Sequence, residues 1–187
     1  MTEPSERALE VLLAADPVPG GTDEPAWRAL VEHAAEMLDV GPGTSVFDVG
    51  CGAGAFLFPL WQNGYLVGGL DPSTALIGLA RKAMPDGLFG VGSPLDLDPA
   101  EAWDVVVASR GLPAFAGRDD ARAWLARMVA KATHGVAVLH AAEGASRGPG
   151  LARSDVLRML AEIGVSAVQF EAAPGGRFHV YARVRGR

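Results

Sequence analysis

The chain has 187 residues, of which 49% are apolar and 20% charged, and its formal net charge is −6. This length predicts one domain, residues 1–187, with a sizeable buried core. The negative charge and the scattered Lys and Arg residues argue against a nucleic-acid surface, which needs a basic stripe. The single cysteine, Cys51, excludes an internal disulfide framework and leaves no cysteine cluster for zinc.

Targeting and metal-binding signals are also missing from the sequence. No run of about 18 apolar residues occurs, so we predict no membrane partner. The N-terminal segment "MTEPSERALEVLLAADP" is acidic and amphipathic, without the basic start of a signal peptide, and we therefore expect a cytoplasmic protein. The four histidines are too far apart to suggest a metal site: His33, His134, His140 and His179.

The first elements in chain order are two amphipathic helices, over residues 5–16 and 24–40. We expect residues 1–42 to form a helical cap over the functional site. From Ser45 on, short apolar runs alternate with amphipathic segments, a pattern typical of a parallel sheet covered on both faces. The expected strands are 45–49, 66–70, 88–91, 104–108 and 135–140, and the expected helices are 53–63, 73–83, 119–132 and 153–163.

The end of the chain breaks this alternation. Segments 166–173 and 177–185 are joined by the turn "PGG", which is too short for a helical crossover. They therefore predict an antiparallel hairpin at one edge of the sheet. Within helix 53–63, Pro59 cannot donate to the carbonyl of Ala55, so we expect that helix to start late or to kink.

A glycine-rich loop follows the first strand. In "VFDVGCGAGAF", residues 46–56, Asp48 ends an apolar run, and glycine then takes every second place. Glycines spaced in this way bring the backbone close to another group. Asp71 ends the second strand, where a carboxylate can accept hydrogen bonds from both hydroxyls of a ribose over the loop.

Three interpretations of the loop are open. A dinucleotide fits, since Gly50, Gly52 and Ala55 satisfy the pattern G-x-G-x-x-G/A, although that match alone is weak. S-adenosylmethionine, a nucleoside that carries an amino acid, fits as well. The third interpretation is a turn that serves packing only.

The sequence resembles class I S-adenosylmethionine-dependent methyltransferases from residue 24 to about residue 143. The stretch "VFDVGCGAG" looks like the first motif of that family, "GLDPS" like the second and "WDVVVASRGLPAF" like the fourth. Their joint occurrence is more specific than any single motif. The resemblance implies an α/β, Rossmann-like three-layer sandwich. In it, a mostly parallel seven-stranded sheet ends in an antiparallel C-terminal hairpin and carries N-terminal helices.

Three features argue against a dinucleotide cofactor. Asp48 stands two residues before the first glycine, where a ligand with an ammonium group favours an acid. Two helices precede the first strand, whereas dinucleotide-binding domains usually begin with it. The antiparallel hairpin at the end of the chain differs from the all-parallel, doubly wound sheet of a dinucleotide-binding domain.

The resemblance also implies roles for single residues. Backbone at Gly50, Cys51 and Gly52 would lie along the methionine and the ribose. Asp48 would organise the amino-acid end, and Asp71 would hold the ribose. The expected cofactor-binding residues are Asp48, Gly50, Cys51, Gly52, Gly54, Asp71, Pro72, Ser93, Pro94 and Ser109, with S-adenosylhomocysteine as the product.

Two positions call for separate expectations. Ser73 borders the adenine by resemblance, but its ordinary role is the N-cap of the next helix. Family members often carry an acid after the third strand that bonds the adenine amino group. Ser93 takes that place here, so either Ser93 makes the contact or Asp96 makes it from a shifted loop.

The carboxyl ends of the fourth and fifth strands are where an acceptor would bind. His140 is the candidate general base, because its position and the ordinary pKa of histidine suit proton removal; a locally satisfied histidine is the alternative. Arg110 would bind a substrate carboxylate, pack against the cofactor or remain a rim charge. Trp27 and Phe115 are further candidate substrate-binding residues, with core packing as the alternative.

The function that the sequence predicts is methyl transfer from S-adenosylmethionine to a small-molecule acceptor, without metal or nucleic acid. A non-methylating, cofactor-binding member of the fold remains open, as a cyclase, an isomerase or a silent subunit, since no strong acid–base pair is evident. An NAD-dependent reductase is the third class.

Overall fold

The computed structural model describes residues 6–17, 23–142 and 152–184. The helices of these ranges are α1 (Glu6–Ala15), α2 (Glu24–Leu38), α3 (Leu57–Gln62), α4 (Thr74–Ala83), α5 (Arg118–Lys131) and α6 (Arg153–Ile163). The strands are β1 (Ser45–Val49), β2 (Leu66–Asp71), β3 (Leu88–Val91), β4 (Trp103–Ala108), β5 (Ala132–Ala142), β6 (Ser166–Ala173) and β7 (Arg177–Arg183). A short 3-10 helix, Pro94–Asp96, follows β3.

All seven strands form one sheet, in the order β3-β2-β1-β4-β5-β7-β6. Strands β1 to β5 are parallel, whereas β7 pairs antiparallel with both β5 and β6. The prediction of a mostly parallel seven-stranded sheet with an antiparallel hairpin at one edge is therefore confirmed. Position 185 of the expected last strand lies outside the described residues.

Side chains on the two faces of the sheet pack into two separate apolar clusters. Val46 and Val105 belong to the cluster formed with α1 to α4, whereas their neighbours Phe47 and Val106 belong to the cluster formed with α5 and α6. This alternation follows from the two-residue period of a strand and accounts for the three layers. Burial of each such side chain stabilises the fold by roughly 1.5–3 kcal/mol.

The helix after β1 starts late, as Pro59 predicts. Turns occupy the residues before Leu57, and the helix begins there instead of at residue 53. Pro59 is thus the third helical residue, in the first turn, where a backbone N–H has no intrahelical partner to lose.

The strand order reverses its direction between β1 and β4, because β2 and β3 continue on one side of β1 and β4 and β5 on the other. In open parallel sheets, ligands bind at this switch point, beyond the carboxyl ends of the strands. The glycine loop follows β1 at that edge, Asp71 ends β2, and Ser109 follows β4. The topology therefore brings these three sequence features to one place.

Candidate cofactor-binding site

The glycine loop is fastened to the end of β2 by its own backbone. The N–H groups of Gly50 and Cys51 both donate to the carbonyl of Leu70, at 2.8 and 3.0 Å. The N–H of Gly52 donates to Oδ2 of Asp71 at 3.0 Å. The three glycines of the loop have φ of 80°, 54° and 82°, a region that disfavours residues with a side chain.

The glycines face different neighbours. A Cβ on Gly54 would lie 2.6 Å from Cε of Met84, so the absence of a side chain there lets α4 pack against the loop. A Cβ on Gly50 would lie 3.5 Å from the ring of Pro94, which places the segment after β3 over the loop. Packing thus accounts for Gly54, while Gly50 is the loop residue that approaches Pro94.

Asp71 is 9% exposed and accepts hydrogen bonds on both carboxylate oxygens. Besides the bond from Gly52, Oδ1 accepts the N–H of Ser73 at 2.9 Å. The Ser73 hydroxyl accepts the N–H of Leu76 at 3.3 Å and caps α4, as expected. Pro72 is exposed beside Asp71. Since each carboxylate oxygen has a second lone pair, Asp71 can still accept bonds from a ligand.

Asp48 is fully buried, and its carboxylate joins β1 to the end of β4. Oδ1 accepts the backbone N–H of Ser109 at 3.0 Å, and Oδ2 accepts the Ser109 hydroxyl at 2.6 Å. Burial raises the pKa of Asp48 to about 6, although the two bonds from Ser109 act in the opposite direction. The carboxylate is therefore mostly ionised at neutral pH but close to its titration range.

Cys51 packs inside the loop. Its side chain is 3% exposed, and its Sγ lies 3.6 Å from the carbonyl oxygen of Gly52. Burial, then the charges of Asp48 and Asp71, raise the pKa of the thiol well above its ordinary value. This environment suits a small space-filling side chain and does not activate a nucleophile.

The end of β5 carries a bulge at His140. The pairing with β7 shifts register between Val138 and Ala141, and His140 has a φ of 53°, which is unusual for a residue with a side chain. The backbone N–H of His140 donates to Nδ1 of His179, on β7, at 3.1 Å. Bulges of this kind re-aim a side chain at the edge of a sheet.

The His140 ring lies parallel to the indole of Trp27, with centroids 5.9 Å apart and planes at 11°. Within the described part of the chain, its Nε2 is buried and has no hydrogen-bond partner. Burial, followed by the charges of His179, Arg177 and Arg110, lowers the pKa of His140 to about 4. The imidazole is therefore neutral at neutral pH, and its buried Nε2 is available for a hydrogen bond.

Trp27, on α2, connects the N-terminal helices to the site. Its side chain is 1% exposed, and its indole N–H donates to the carbonyl of Ala55 at 2.9 Å. The Trp27 indole thus contacts the loop through its N–H, which bonds Ala55, and it contacts His140 through the face of its ring. Packing accounts for Trp27, and direct contact with an acceptor stays a proposal.

Arg110 forms an ion pair that the sequence did not indicate. Its Nη1 lies 2.6 Å from Oδ2 of Asp16, the residue that follows α1. The same carboxylate oxygen accepts the N–H of Ala53, in the glycine loop, at 3.3 Å. The guanidinium also donates to the backbone oxygens of Asp16 and Pro17, at 3.3 and 3.2 Å. The residues that follow α1, Asp16 and Pro17, therefore lie across the glycine loop.

The segment after β3 uses its polar groups locally. The Ser93 hydroxyl accepts the N–H of Leu95 at 3.2 Å and caps the 3-10 helix, while Asp96 is exposed. Both residues border a cavity of about 720 Å³ on the face of β2 and β3, where a 3-10 turn takes the place of a covering helix. The positions of Ser93 and Asp96 do not decide which of the two would contact an adenine, and both contacts stay proposals.

Phe115 is half-buried and packs against Trp124, with ring centroids 5.6 Å apart. The indole N–H of Trp124 in turn donates to the carbonyl of Pro94 at 2.7 Å. Phe115 therefore lies near the segment after β3, on the α5 side of the sheet. Its contact with an acceptor stays a proposal.

Across residues 6–17, 23–142 and 152–184, no three His, Cys, Asp or Glu side chains converge as metal ligands would. No helix in the same ranges is both long and apolar enough to span a bilayer.

The part of the chain that contains the loop matches a known family. Residues 47–137, from β1 into β5, match the family model described as "Methyltransferase domain". Over these residues the chain is similar to that methyltransferase family. Magnesium protoporphyrin IX methyltransferase from Synechocystis, solved with bound SAM, has the same fold, with a TM-score of 0.69 and 18% sequence identity over 98% of this chain and 92% of that one. The predicted Rossmann-like fold is confirmed.

Curated methyltransferases are similar over shorter stretches. The ubiquinone biosynthesis O-methyltransferase of Rhodopseudomonas palustris is 31% identical over 97 residues, which is 46% of this chain and 38% of that protein. The 23S rRNA (uracil(1939)-C(5))-methyltransferase of Thiobacillus denitrificans is 36% identical over 77 residues, which is 38% of this chain and 18% of that protein. The chain thus spans well under half the length of both methyltransferases.

Proposed function

We propose that this chain transfers the methyl group of S-adenosylmethionine to a small-molecule acceptor. The observation that carries the proposal is the bond from the Gly52 N–H to the Asp71 carboxylate. It holds a nearly buried carboxylate beside a glycine backbone at the ligand-binding edge of the sheet. A ribose over the end of β2 would find both its hydroxyls within reach of Asp71.

The charges around the loop favour this cofactor over a dinucleotide. Two carboxylates border the loop, because Asp71 bonds Gly52 and Asp48 lies buried under the preceding strand end, whereas the charge of Asp16 is paired with Arg110. A pyrophosphate would be repelled by Asp48 and Asp71, whereas a sulfonium and an ammonium would be attracted. The residues present therefore fit S-adenosylmethionine.

Each part of the cofactor has candidate partners in the chain. Backbone at Gly50, Cys51 and Gly52 would lie along its methionine and ribose. The Asp48–Ser109 pair would face the ammonium group, and the residues after the second and third strands would border the adenine. The latter residues are Pro72, Ser93 and Pro94.

When bound, the cofactor supplies an electrophilic methyl group. The chain must then position the acceptor and receive a proton if the acceptor carries one. His140 is the candidate for the second task, since it is neutral at neutral pH and its Nε2 has no partner in the described part of the chain; because that nitrogen is buried against Trp27, the ring would have to turn to reach an acceptor. A base with a pKa of about 4 is weak, but an acceptor oxygen becomes strongly acidic as it gains the methyl group.

The proposed acceptor is a small molecule because the cleft is acidic. The net charge of −6 and the carboxylates of Asp48 and Asp71 would repel a phosphate backbone. The likeness to an O-methyltransferase of ubiquinone biosynthesis supports an oxygen acceptor. The N-terminal helices contact the loop through Asp16 and Trp27, and we propose that residues 1–42 cover the acceptor.

The low pKa of His140 also favours a second candidate function, a non-methylating protein that binds the cofactor. A weak base under the face of Trp27 suits a protein that holds the cofactor without proton transfer. The two functions differ in whether a methyl group leaves the cofactor.

The test is incubation with methyl-labelled S-adenosylmethionine and a panel of small hydroxy and carboxylic acids, phenols and amines, with an RNA fragment as a further acceptor. We expect label in at least one small molecule and none in RNA, and Asp71→Ala should lower the transfer about a hundredfold at low cofactor concentration. Label in RNA alone would contradict the small-molecule acceptor. Tight cofactor binding without transfer to any acceptor would favour the non-methylating function.

A further inference from the structure

One hydrogen-bond acceptor for the glycine loop comes from outside the sheet. The N–H groups of loop residues 50–54 all have acceptors, and four of them donate to Leu70, to Asp71 or within the loop. The fifth, from Ala53, donates to the side chain of Asp16 at 3.3 Å. Without Asp16, this N–H would face the cleft with no protein partner.

The Asp16 carboxylate occupies the space that Gly52 leaves by lacking a side chain. A Cβ on Gly52 would collide with Oδ2 of Asp16. The Asp16 side chain is 13% exposed, and its Oδ2 accepts from the loop and pairs with Arg110. A backbone N–H together with a guanidinium is a common environment for the carboxylate of a bound amino acid.

We propose that Asp16 is an intramolecular surrogate for the α-carboxylate of the cofactor, and that Arg110 takes that carboxylate when the cofactor binds. This inference rests on the proposed function and deepens it, because it assigns Arg110 to the cofactor instead of the acceptor. The Asp16 carboxylate must leave Ala53 and Arg110 before the cofactor can enter.

The exchange is confined to the end of α1. Leu9 and Leu12 of this helix are 0% and 2% exposed, so their burial holds the helix in place while the residue after it moves. Arg110 exchanges one carboxylate for another, so the ion pair itself adds little net free energy. Cofactor affinity is then reduced by the fraction of molecules in which Asp16 has left the loop.

The test compares two probes, S-adenosylhomocysteine, which has the α-carboxylate, and methylthioadenosine, which lacks the amino-acid moiety. In calorimetric titrations, Asp16→Ala should bind S-adenosylhomocysteine about tenfold more tightly than the parent, as expected if Asp16 is bound about nine-tenths of the time. In the Asp16→Ala background, where no intramolecular carboxylate competes, the further change Arg110→Gln should weaken this binding about tenfold. Neither change should alter the affinity for methylthioadenosine more than about twofold.

The matched control is Glu24→Ala, which removes a carboxylate and its 2.8 Å ion pair with Arg28 on α2, away from the loop. It should leave both affinities unchanged. If helix α1 loosens in Asp16→Ala, as circular dichroism would show, Asp16→Asn keeps the side-chain volume and should change the affinity in the same direction.

Two results would overturn the inference while leaving the proposed function intact. In the first, S-adenosylhomocysteine binds Asp16→Ala no more tightly than the parent, so that Asp16 only fastens α1. In the second, Arg110→Gln in the Asp16→Ala background weakens both probes equally. Failure of both probes to bind any of these proteins would instead contradict the proposed function, and the inference with it.

Discussion

The Asp48 carboxylate receives two hydrogen bonds from Ser109, from its backbone N–H at 3.0 Å and from its hydroxyl at 2.6 Å. The pair ties β1 to β4 at the point where the strand order reverses. It also leaves a buried acid with a pKa of about 6 beside the proposed position of the cofactor's ammonium group.

Cofactor affinity should therefore rise with pH through about pH 6. An ammonium group favours the ionised form of Asp48, so at lower pH the carboxyl must lose a proton before the cofactor binds. The affinity for S-adenosylhomocysteine should fall by about tenfold for each pH unit below that value. Calorimetric titrations between pH 5 and pH 8 measure this slope.

Asp48→Asn is the control for this prediction. The amide keeps the volume and can still bond Ser109, but it does not titrate, so its weaker binding should be flat with pH over the same range. An equally steep slope in Asp48→Asn would assign the pH dependence to another group.

Protein stability should depend on His140 at acid pH. Burial lowers the pKa of His140 to about 4, so between about pH 6.5 and pH 4 the unfolded chain binds a proton that the folded chain does not. Stability is therefore lost as the pH falls through this window. Asp48 acts in the opposite direction between about pH 6 and pH 4, because its pKa is raised in the folded state.

The variant His140→Asn separates the contribution of His140 to this pH dependence from that of Asp48. Asn is the suitable replacement because it tolerates the φ of 53° better than most residues. Urea unfolding at pH 7.5 and pH 5 should show a smaller loss of stability for His140→Asn than for the parent. Equal losses would mean that His140 titrates normally in the folded protein. In methyl-transfer assays, the same variant should keep its cofactor affinity and turn over more slowly.

Several features of this site could be predicted from the sequence because they depend on local patterns. Glycines at 50, 52 and 54 and an acid at the end of the next strand lie within single motifs, and Pro59 alone indicates the late start of α3. The two-residue and helical periods located the strands and helices to within a few residues. Chain order and the short "PGG" turn then predicted the hairpin at the edge of the sheet.

The contacts that shape the cleft could not be predicted in this way, because they join residues far apart in the sequence. Arg110 and Asp16 are 94 positions apart, and Asp48 and Ser109 are 61 positions apart. The bulge at His140 depends on the pairing of β5 with β7, and no pattern in the preceding residues indicates it. Trp27 has the helical spacing of a core residue, which does not reveal its contact with His140.

The Trp27 indole should stabilise the loop as well as the core. Trp27→Phe keeps most of the apolar volume but leaves the buried carbonyl of Ala55 without its 2.9 Å partner. The free energy of unfolding should fall by about 1–3 kcal/mol, the cost of an unsatisfied buried polar group. Denaturant unfolding measures this loss.

The comparison variant is Trp61→Phe, which removes an exposed bond from the indole N–H to Asp86 and should cost much less, because water replaces the lost partner. Equal losses in the two variants would show that Trp27 acts through its ring volume alone.

The carboxylate of Asp71 is tied to the Gly52 N–H and would hold the ribose. Loss of two charge-assisted bonds, partly replaced by water, should cost about 3 kcal/mol in binding, or roughly a hundredfold in affinity. The fold should survive, since Asp71 lies at the end of β2.

The decisive measurement is a calorimetric titration of the parent and of Asp71→Ala with S-adenosylhomocysteine and with NADH. We predict that the parent binds S-adenosylhomocysteine at one site and does not bind NADH, and that folded Asp71→Ala binds S-adenosylhomocysteine about a hundredfold more weakly. Binding of NADH alone, or equal affinity of folded Asp71→Ala and the parent for S-adenosylhomocysteine, would contradict the account.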